Sequence, residues 1–292
     1  MERYYHIAGI NICIKGNADD FCQNDYRLSA FRGERKRPCY NYKFSIVENL
    51  TDNRGECIFC GPARRVFRDG TKKIHYIGSV QEGLENAYIR CEFDDTEVSI
   101  QVKRESLPDR ITNKLVLNSM NIEGLALKNR AFVLHASFID VNGQAILFTA
   151  PSGTGKSTQA ELWKRFRNAE IINGDRVAVG VGENNVTAWG IPFAGSSQYC
   201  KNAKLPIAAI VCLAQSEKTV IEPLRGIQAF RKILKEITVP VWEEGAMEQI
   251  SKMMLTVLEN VPVYHLACTP DESAVAALEN VLKQKGVNEY EK

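Results

Sequence analysis

The sequence feature that most constrains the fold is a glycine-rich stretch, APSGTGKS at Ala150–Ser157, between an apolar run and a helix-like segment. The apolar run Gln144–Thr149 predicts a buried strand, and the spacing in Lys156–Arg167 predicts a helix. Gly153 and Gly155 permit backbone conformations that turn successive N–H groups inward, and the following helix directs its positive end to the same point. A strand, an anion-binding loop and a helix in this order indicate an α/β domain.

The stretch matches the Walker A pattern of P-loop proteins, with alanine in place of the first glycine. Lys156 is then expected to reach the β- and γ-phosphates of a nucleoside triphosphate, and the Ser157 hydroxyl suits a Mg²⁺ ligand. The nucleotide-binding residues that the motif predicts are Ser152, Gly153, Thr154, Gly155, Lys156, Ser157 and Thr158. The expected ligands are ATP and Mg²⁺, and the motif leaves open whether another phosphate donor replaces ATP.

A turn upstream of this stretch indicates how its strand is paired. Asn142-Gly143 is a strong hairpin signal, so Phe132–Val141 and Gln144–Thr149 are expected to pair as antiparallel strands. Residues equidistant from the turn then face each other, which places His135 opposite Ala150 at the mouth of the loop. An imidazole there is either a catalytic group or a structural residue of an apolar strand.

The two halves of the chain differ in pattern. Residues 1–110 predict short half-buried strands at Tyr4–Ile14, Tyr42–Val47, Arg64–Phe67, Lys73–Ile77, Ala87–Phe93 and Val98–Val102. A helix-like stretch at Ile111–Lys128 links them to an α/β half, with further strands predicted at Ile171–Ile172, Val177–Val181, Val186–Trp189, Ile207–Leu213 and Val261–Ala267. Helices are predicted at Ile227–Ile237 and Glu244–Glu259, and a last helix is expected to start with Thr269 as its cap and Pro270 at its first position. The prediction is a smaller, mainly antiparallel β domain in residues 1–110, with substrate recognition as its hypothetical role, and a nucleotide-binding catalytic domain in residues 111–292.

Composition excludes several classes of function. The net charge of +2 argues against a dedicated nucleic-acid binder. The longest apolar run, Leu205–Ala214, is too short for a membrane span, and the N-terminus lacks a signal-peptide pattern. Nine cysteines, an odd number, favour free thiols in a reducing, cytoplasmic setting.

Other candidate motifs are weaker. Cys57 and Cys60 have CxxC spacing without a second pair for zinc, so we expect free thiols in a loop. The basic run Arg32–Pro38 is either a solvated loop or a patch that steers an acidic peptide toward the site. The histidines that we interpret as structural are His6, His75 and His265.

Four runs of residues together resemble a known family, the HPr kinase/phosphorylases, and more closely the HPr-kinase-related proteins that include peptide serine kinases. These runs are Val133-Leu134-His135, Asp140–Gly143, Ala150–Ser157 and Asn173-Gly174-Asp175. That family shares its nucleotide-binding core with phosphoenolpyruvate carboxykinases. The resemblance therefore implies a mixed-sheet P-loop fold for the second half of the chain.

The resemblance also implies residue roles. Lys156 would hold the transferring phosphate, Ser157 and Asp175 would hold Mg²⁺, Asp175 would alternatively act as base, and His135 would orient that acid. Independently, Asp175 follows an apolar strand, where either a Mg²⁺-binding carboxylate or a turn cap is expected. HPr kinases carry two adjacent acids, whereas this chain has Gly174 before Asp175. One carboxylate would then do both jobs or a second acid would come from elsewhere, and a reverse phosphorylase activity is left open.

A second Gly-, Pro- and Ser-rich cluster follows at Trp189–Asn202. Related kinases have a similar stretch after the acidic site, which makes Gly195, Ser196, Ser197 and Lys201 candidates for a loop beside the substrate. The alternative is a surface loop with a solvated lysine.

The sequence thus predicts an ATP- and Mg²⁺-dependent kinase acting on a hydroxyl, with serine in a peptide or protein as the favoured acceptor. A small-molecule hydroxyl kinase and a non-catalytic nucleotide-binding scaffold are the alternatives. No nucleic-acid or membrane partner is expected. Relatives often assemble, so a homo-oligomer is one expected form.

Overall fold

The computed structural model describes residues 2–15, 26–81, 83–107, 117–183, 185–195 and 197–284. Packing divides the chain into two compact units, the first formed by Met1–Leu125 with Pro240–Glu244 and the second by Ala126–Val239 with Gly245–Lys292. The predicted domain boundary after residue 110 and the first part of the predicted linking helix Ile111–Lys128 lie outside the described residues, and the division by packing falls further along the chain. A helix long and apolar enough to cross a membrane does not occur among the described residues.

The first unit is built on one mixed sheet, for which the structure describes nine strands in the order β3-β1-β2-β4-β9-β8-β7-β6-β5. Their bounds are β1 (Glu2–Ile7), β2 (Ile10–Lys15), β3 (Arg32–Gly33), β4 (Tyr40–Val47), β5 (Glu56–Cys60), β6 (Arg64–Asp69), β7 (Lys72–Gly78), β8 (Ala87–Asp94) and β9 (Glu97–Lys103). A short helix, α1 (Tyr26–Ser29), precedes β3. The pairs β2–β4 and β4–β9 are parallel and the others antiparallel, so most pairings follow the predicted pattern.

Two sequence predictions for this unit are wrong. Tyr4–Ile14 is a hairpin and not one strand, because Ala8 (φ 49°) and Gly9 (φ 79°) adopt left-handed conformations that reverse the chain between β1 and β2. The CxxC segment lies in edge strand β5 and not in a loop, because Glu56–Cys60 pairs with β6. Both of its thiols are free and exposed.

The second unit is mixed α/β. Its described strands are β10 (Ala131–Val141), β11 (Gln144–Thr149), β12 (Glu170–Asn173), β13 (Arg176–Val181), β14 (Val186–Gly190), β15 (Lys204–Gln215), β16 (Val220–Leu224), β17 (Ile237–Thr238) and β18 (Val263–Cys268). The helices are α2 (Ile122–Lys128), which leads into this unit along the chain, α3 (Lys156–Arg167), α4 (Gly226–Leu234), α5 (Ala246–Asn260) and α6 (Glu272–Gln284).

The Asn142-Gly143 hairpin is confirmed. Both turn residues have positive φ, and β10 pairs antiparallel with β11 in the expected register, with Ala136 opposite Thr149. On its other side β11 pairs in parallel with β15, and β15 pairs in parallel with β18. The C-terminal ends of these three strands therefore lie at one edge of the sheet, where open α/β sheets usually bind ligands.

Alternate residues of the central strands enter two different hydrophobic clusters, because successive strand side chains point to opposite faces. On β11, Ala145 and Leu147 join the cluster that contains Met254 of α5. Ile146 and Phe148 join the cluster that contains Trp163 of α3. Helices thus cover both faces, and β11 is held rigidly where the glycine-rich loop begins.

The start of the last helix differs from the prediction. The helix α6 begins at Glu272, and the residue that caps it is Asp271, whose Oδ1 accepts a hydrogen bond from Ser273 N at 2.8 Å. The Asp271 carboxylate thus binds one of the N–H groups that lack a partner in the first turn of the helix, which is the role that was expected of Thr269.

Candidate functional site

The glycine-rich loop, defined here as Ala150–Gly155, joins the end of β11 to the first residue of α3. Gly153 has a φ of 79° and Gly155 a φ of 117°, conformations that side-chain-bearing residues rarely adopt. A Cβ atom at either glycine would meet no other atom within 4 Å. The loop therefore has open space beside the first turn of α3, where N–H groups lack intrahelical partners. Such an arrangement suits an anion.

Lys156 lies against this loop and is 7% exposed. Its Nζ donates hydrogen bonds to the carbonyl oxygens of Ala150 at 2.7 Å and Pro151 at 3.2 Å. Burial lowers the pKa of the ammonium group, and the negative charges of Glu236 and Asp175 oppose that shift. A phosphate group can replace the two carbonyl oxygens as the partner of a cation that is already in place.

The two metal-ligand candidates lie on neighbouring segments. Ser157, in the first turn of α3, donates from Oγ to the carbonyl oxygen of Gly174 at 3.5 Å. Ser137 on β10 donates to the same carbonyl oxygen at 3.3 Å. These contacts bring the start of α3 next to the residue that precedes Asp175.

Asn173 shapes the turn that carries Asp175. It is fully buried, and its Oδ1 accepts hydrogen bonds from the backbone N–H of Asp175 at 2.9 Å and of Arg176 at 3.1 Å. Its Nδ2 donates to the carbonyl oxygen of Ile191 at 2.7 Å. The side chain thus fixes the turn between β12 and β13 and ties it to the following loop.

His135 lies between two carboxylates at the point where β10 passes this turn. Its Nε2 is 3.5 Å from Asp175 Oδ1, and its Nδ1 is 3.4 Å from Glu236 Oε2. The side chains of the two acids are 31% and 12% exposed, respectively. Arg176 Nε is 3.7 Å from Asp175 Oδ2, and its guanidinium lies over the ring of Phe193. Two carboxylates, an imidazole and a cation therefore lie next to one another.

The candidate substrate loop is only partly beside Asp175. A Cβ atom on Gly195 (φ 57°) would lie 2.9 Å from Asp175 Cβ, so this residue approaches the acid closely. Ser197 Oγ donates to the carbonyl oxygen of Ala194 at 2.9 Å, and Ser196 lies outside the described residues. Lys201 forms an ion pair with Glu170 at the far end of β12. The structure does not bring this lysine to the acid.

A cavity of about 630 Å³ adjoins the glycine-rich loop. It is lined by residues at the C-terminal ends of β15 and β18 and by Thr158 and Gln159 of α3. Gln215, at the end of β15, donates from Nε2 to the carbonyl oxygen of Gly153 at 3.4 Å. The predicted residue Ser152 is exposed on the loop. The cavity is large enough to hold a ligand of the size of a nucleoside next to the glycine-rich loop.

Three contributors to this site were missed in the sequence. Asn173 could have been found from its place before a turn, because Asn side chains often bond to the backbone two residues on. Gln215 could have been found from its place at the end of a parallel strand. Glu236 carries no local signal, because only the pairing of β17 with β10 brings it to His135.

No group of three or more His, Cys, Asp or Glu side chains in the described ranges has the geometry to hold a metal ion by itself. Nucleotide-bound Mg²⁺ takes few protein ligands and several phosphate oxygens and waters. A hydroxyl at Ser157 and a carboxylate at Asp175 fit that requirement in their chemistry, since both supply hard oxygen ligands.

Comparisons with known proteins add little. No family model matches the chain, and no curated protein matches it by sequence. Among solved structures the chain is similar to the "Hpr(Ser) kinase/phosphatase from Coxiella burnetii", with a TM-score of 0.33 and 11% identity over 53% of this chain and 99% of that one. A likeness at this level carries no argument about activity. The geometry of the site has to support any function.

Proposed function

We propose that the chain is a kinase that uses ATP and Mg²⁺ to phosphorylate a hydroxyl, with serine in a peptide or protein as the favoured acceptor. The observation that carries the proposal is the convergence of Lys156, Ser157 and the Asp175 turn beside an open glycine-rich loop. Phosphoryl transfer depends mainly on positioning and on charge neutralisation, and these residues supply both.

Each residue has a role in this proposal. The N–H groups around Gly153 and Gly155 bind the phosphates, and the nucleoside occupies the cavity beside Gln215. Lys156 leaves the loop carbonyls and neutralises charge on the transferred group. Ser157 and Asp175 would hold Mg²⁺, which when bound neutralises phosphate charge and orients the terminal group.

Asp175 would also accept the proton of the attacking hydroxyl. Its carboxylate lies at the turn between β12 and β13, and Gly195 packs against it without a side chain. The close approach at Gly195 leaves the acid beside a loop that a substrate chain can contact. The role of residues 1–110 in recognising that substrate is part of the same hypothesis.

A labelling experiment tests the proposal. The protein is incubated with Mg²⁺ and ATP carrying a labelled γ-phosphate, once with a pool of serine-containing peptides and once with free serine. Asp175→Asn should slow transfer by about 10²–10³-fold, because general-base catalysis is typically worth that much. Nucleotide binding, measured by thermal shift, should persist in this variant. Glu259→Gln, which makes the same carboxylate-to-amide change at an exposed position at the end of α5, is the matched control and should keep full activity.

The alternatives give different results. Label on free serine alone would indicate a small-molecule kinase. Tight nucleotide binding with no labelled acceptor would indicate a scaffold. Unchanged transfer by Asp175→Asn would remove the proposed role of that acid.

A further inference from the structure

The site contains a second acid that the glycine-rich motif and the Asp175 turn do not supply. Resting on the kinase function proposed above, we propose that Glu236 is a positioning residue that holds His135 with its proton on Nδ1 and its Nε2 turned toward Asp175. The ring contacts one carboxylate through each nitrogen, Glu236 at 3.4 Å and Asp175 at 3.5 Å.

The main chain fixes Glu236 in this position. The two-residue strand β17 pairs antiparallel with β10, with Ile237 opposite Leu134. The backbone N–H of His135 donates to the carbonyl oxygen of Glu236 at 2.8 Å, and the N–H of Glu236 donates to the carbonyl oxygen of Ile233 at 2.9 Å. Backbone bonds therefore fix the main chain of Glu236 beside His135, and from this position its carboxylate reaches the imidazole ring.

Burial of the Glu236 side chain calls for compensation. A carboxylate that is 12% exposed loses much of its hydration, which is unfavourable unless polar or charged partners replace the water. The partners at hand are Nδ1 of His135, which can donate a hydrogen bond when it carries the ring proton, and the positive charge of Lys156, whose pKa Glu236 acts to raise. The carboxylate is therefore placed by the fold among groups of the proposed active site.

The crowding around Gly174 leaves no room for a second acid directly before Asp175. A Cβ atom on Gly174 would lie 1.8 Å from Ser197 Oγ and 2.6 Å from Ser197 Cβ. The space that an adjacent acid would need is already filled by the loop that follows β14. A carboxylate can reach the site from β17 instead.

The orientation of His135 has a consequence for the reaction. As the acceptor oxygen bonds to the γ-phosphorus, the bond from phosphorus to the bridging oxygen breaks and its electron pair stays on the diphosphate. The acceptor proton passes to the Asp175 carboxylate. With Nε2 free of a proton, the new O–H of Asp175 can donate a hydrogen bond to it, an interaction absent in the starting state. The hydrogen bond at one ring nitrogen determines where the other can act.

The test measures the tautomer of His135 directly. In protein labelled with ¹⁵N and ¹³C at histidine, the ring signals at alkaline pH report which nitrogen carries the proton, and His135→Gln assigns them. Wild type should show the Nδ1–H form. Glu236→Ala should shift the ring to the Nε2–H form that imidazole prefers in water. Glu236→Gln should retain Nδ1–H, because its carboxamide oxygen still accepts.

Kinetics supply the second measurement. Glu236→Ala should lower kcat by about 10²-fold while KM for ATP changes by less than about threefold, because the residue acts on the proton-transfer step. Glu236→Gln should recover about tenfold of that loss. Glu259→Ala, an exposed acid at the end of α5, is the matched control and should match wild type.

The two proposals fail separately. An Nε2–H tautomer in wild type, or an unchanged tautomer in folded Glu236→Ala, overturns the role of Glu236 whatever the activity. If Glu236→Ala does not fold, the wild-type and Glu236→Gln tautomers still decide. If no acceptor is phosphorylated but the wild-type His135 ring carries its proton on Nδ1, the kinase function is overturned and the positioning of His135 stands.

Discussion

Each unit has a histidine on a strand of its mixed sheet. Aromatic rings surround one of the two side chains, and carboxylates flank the other. His75 on β7 is fully buried between the rings of Phe93 and Trp242, at centroid distances of 4.8 and 5.5 Å. Neither of its ring nitrogens has a hydrogen-bond partner among the described residues. His135 on β10 is partly exposed and lies between two carboxylates.

The difference follows from where each strand runs. The strand β7 lies inside an antiparallel meander, between β6 and β8, so its middle residues face packed side chains. The strand β10 passes the glycine-rich loop, the Asp175 turn and β17, so His135 meets residues from three segments that are distant in sequence. In this chain the segments that meet beside each strand histidine therefore determine whether aromatic rings or carboxylates surround it.

If the second unit carries out the proposed reaction, removing its buried cation, Lys156, should have the largest effect on phosphoryl transfer. Lys156→Ala should lower kcat/KM for phosphoryl transfer by about 10³-fold, or about 4 kcal/mol of transition-state stabilisation, because it removes the cation that is proposed to neutralise charge on the transferred group. The transfer assay and the ATP-dependent rise in Tm check this. Lys252→Ala on α5, an exposed lysine paired with Glu248, is the control. A loss of less than tenfold would contradict the assignment.

The crowding at Gly174 gives the next largest effect. Gly174→Asp would create two adjacent acids, but its side chain would collide with Ser197. We expect the free energy of unfolding to fall by about 1–3 kcal/mol, as overpacking usually costs, and transfer to slow as the loop shifts. Urea unfolding measures this. The double variant Gly174→Asp/Ser197→Gly removes the obstructing side chain and should recover most of the stability. A single variant as stable as wild type would show that the loop yields easily.

These two residues also show what the sequence could predict. The strand, loop and helix around Lys156 were predicted correctly because their signals are local and consecutive, whereas the contact of Lys156 with phosphate stays a prediction. The Asn142-Gly143 turn alone was enough to predict both the hairpin and the position of His135 beside the start of the loop. At residue 174 the sequence showed only that an acid is missing. It did not show the crowding around Gly174, because that crowding comes from a loop more than 20 residues further along the chain.

Contacts between distant segments were the part that the sequence did not predict. Glu236 reaches His135 through a two-residue strand, too short to leave an alternating pattern. The parallel pairing of β11 with β15 was missed for a related reason, because a buried apolar run does not indicate its direction. Where two left-handed residues reverse the chain within an alternating pattern, as at Ala8 and Gly9, periodicity alone also fails.

The buried histidine of the first unit predicts a dependence of stability on pH. Burial holds the pKa of His75 well below its ordinary value of 6.5. Below that pH the unfolded chain takes up a proton that the folded chain does not, so stability is kept above pH 6.5 and lost as the pH falls below it. The loss should be about 1.4 kcal/mol for each pH unit. Arg64 and Lys73 add repulsion to the charged form.

His75→Leu should remove this dependence, because leucine does not titrate and fills a similar volume. Urea unfolding at neutral and acidic pH, followed by tryptophan fluorescence, measures the difference. His265→Gln, which replaces a histidine on β18, is the control and should keep the wild-type dependence of stability on pH. If His75→Leu loses stability with acid as steeply as wild type, the buried ring is not the source of the pH effect.

The smallest expected effect distinguishes the two lysines that the sequence placed in the second unit's site. The side chains of Lys201 and Glu170 are 50% and 53% exposed, and exposed ion pairs contribute about 1 kcal/mol or less. Lys201→Ala should therefore change the free energy of unfolding by less than about 1 kcal/mol and transfer by less than about twofold, since it removes no contact to Asp175 that the structure describes. Matched assays beside Lys156→Ala give the comparison. A tenfold loss of transfer with unchanged stability would mean that Lys201 leaves Glu170 to act on the substrate, and the reactive region would then extend along the loop beyond Ser197.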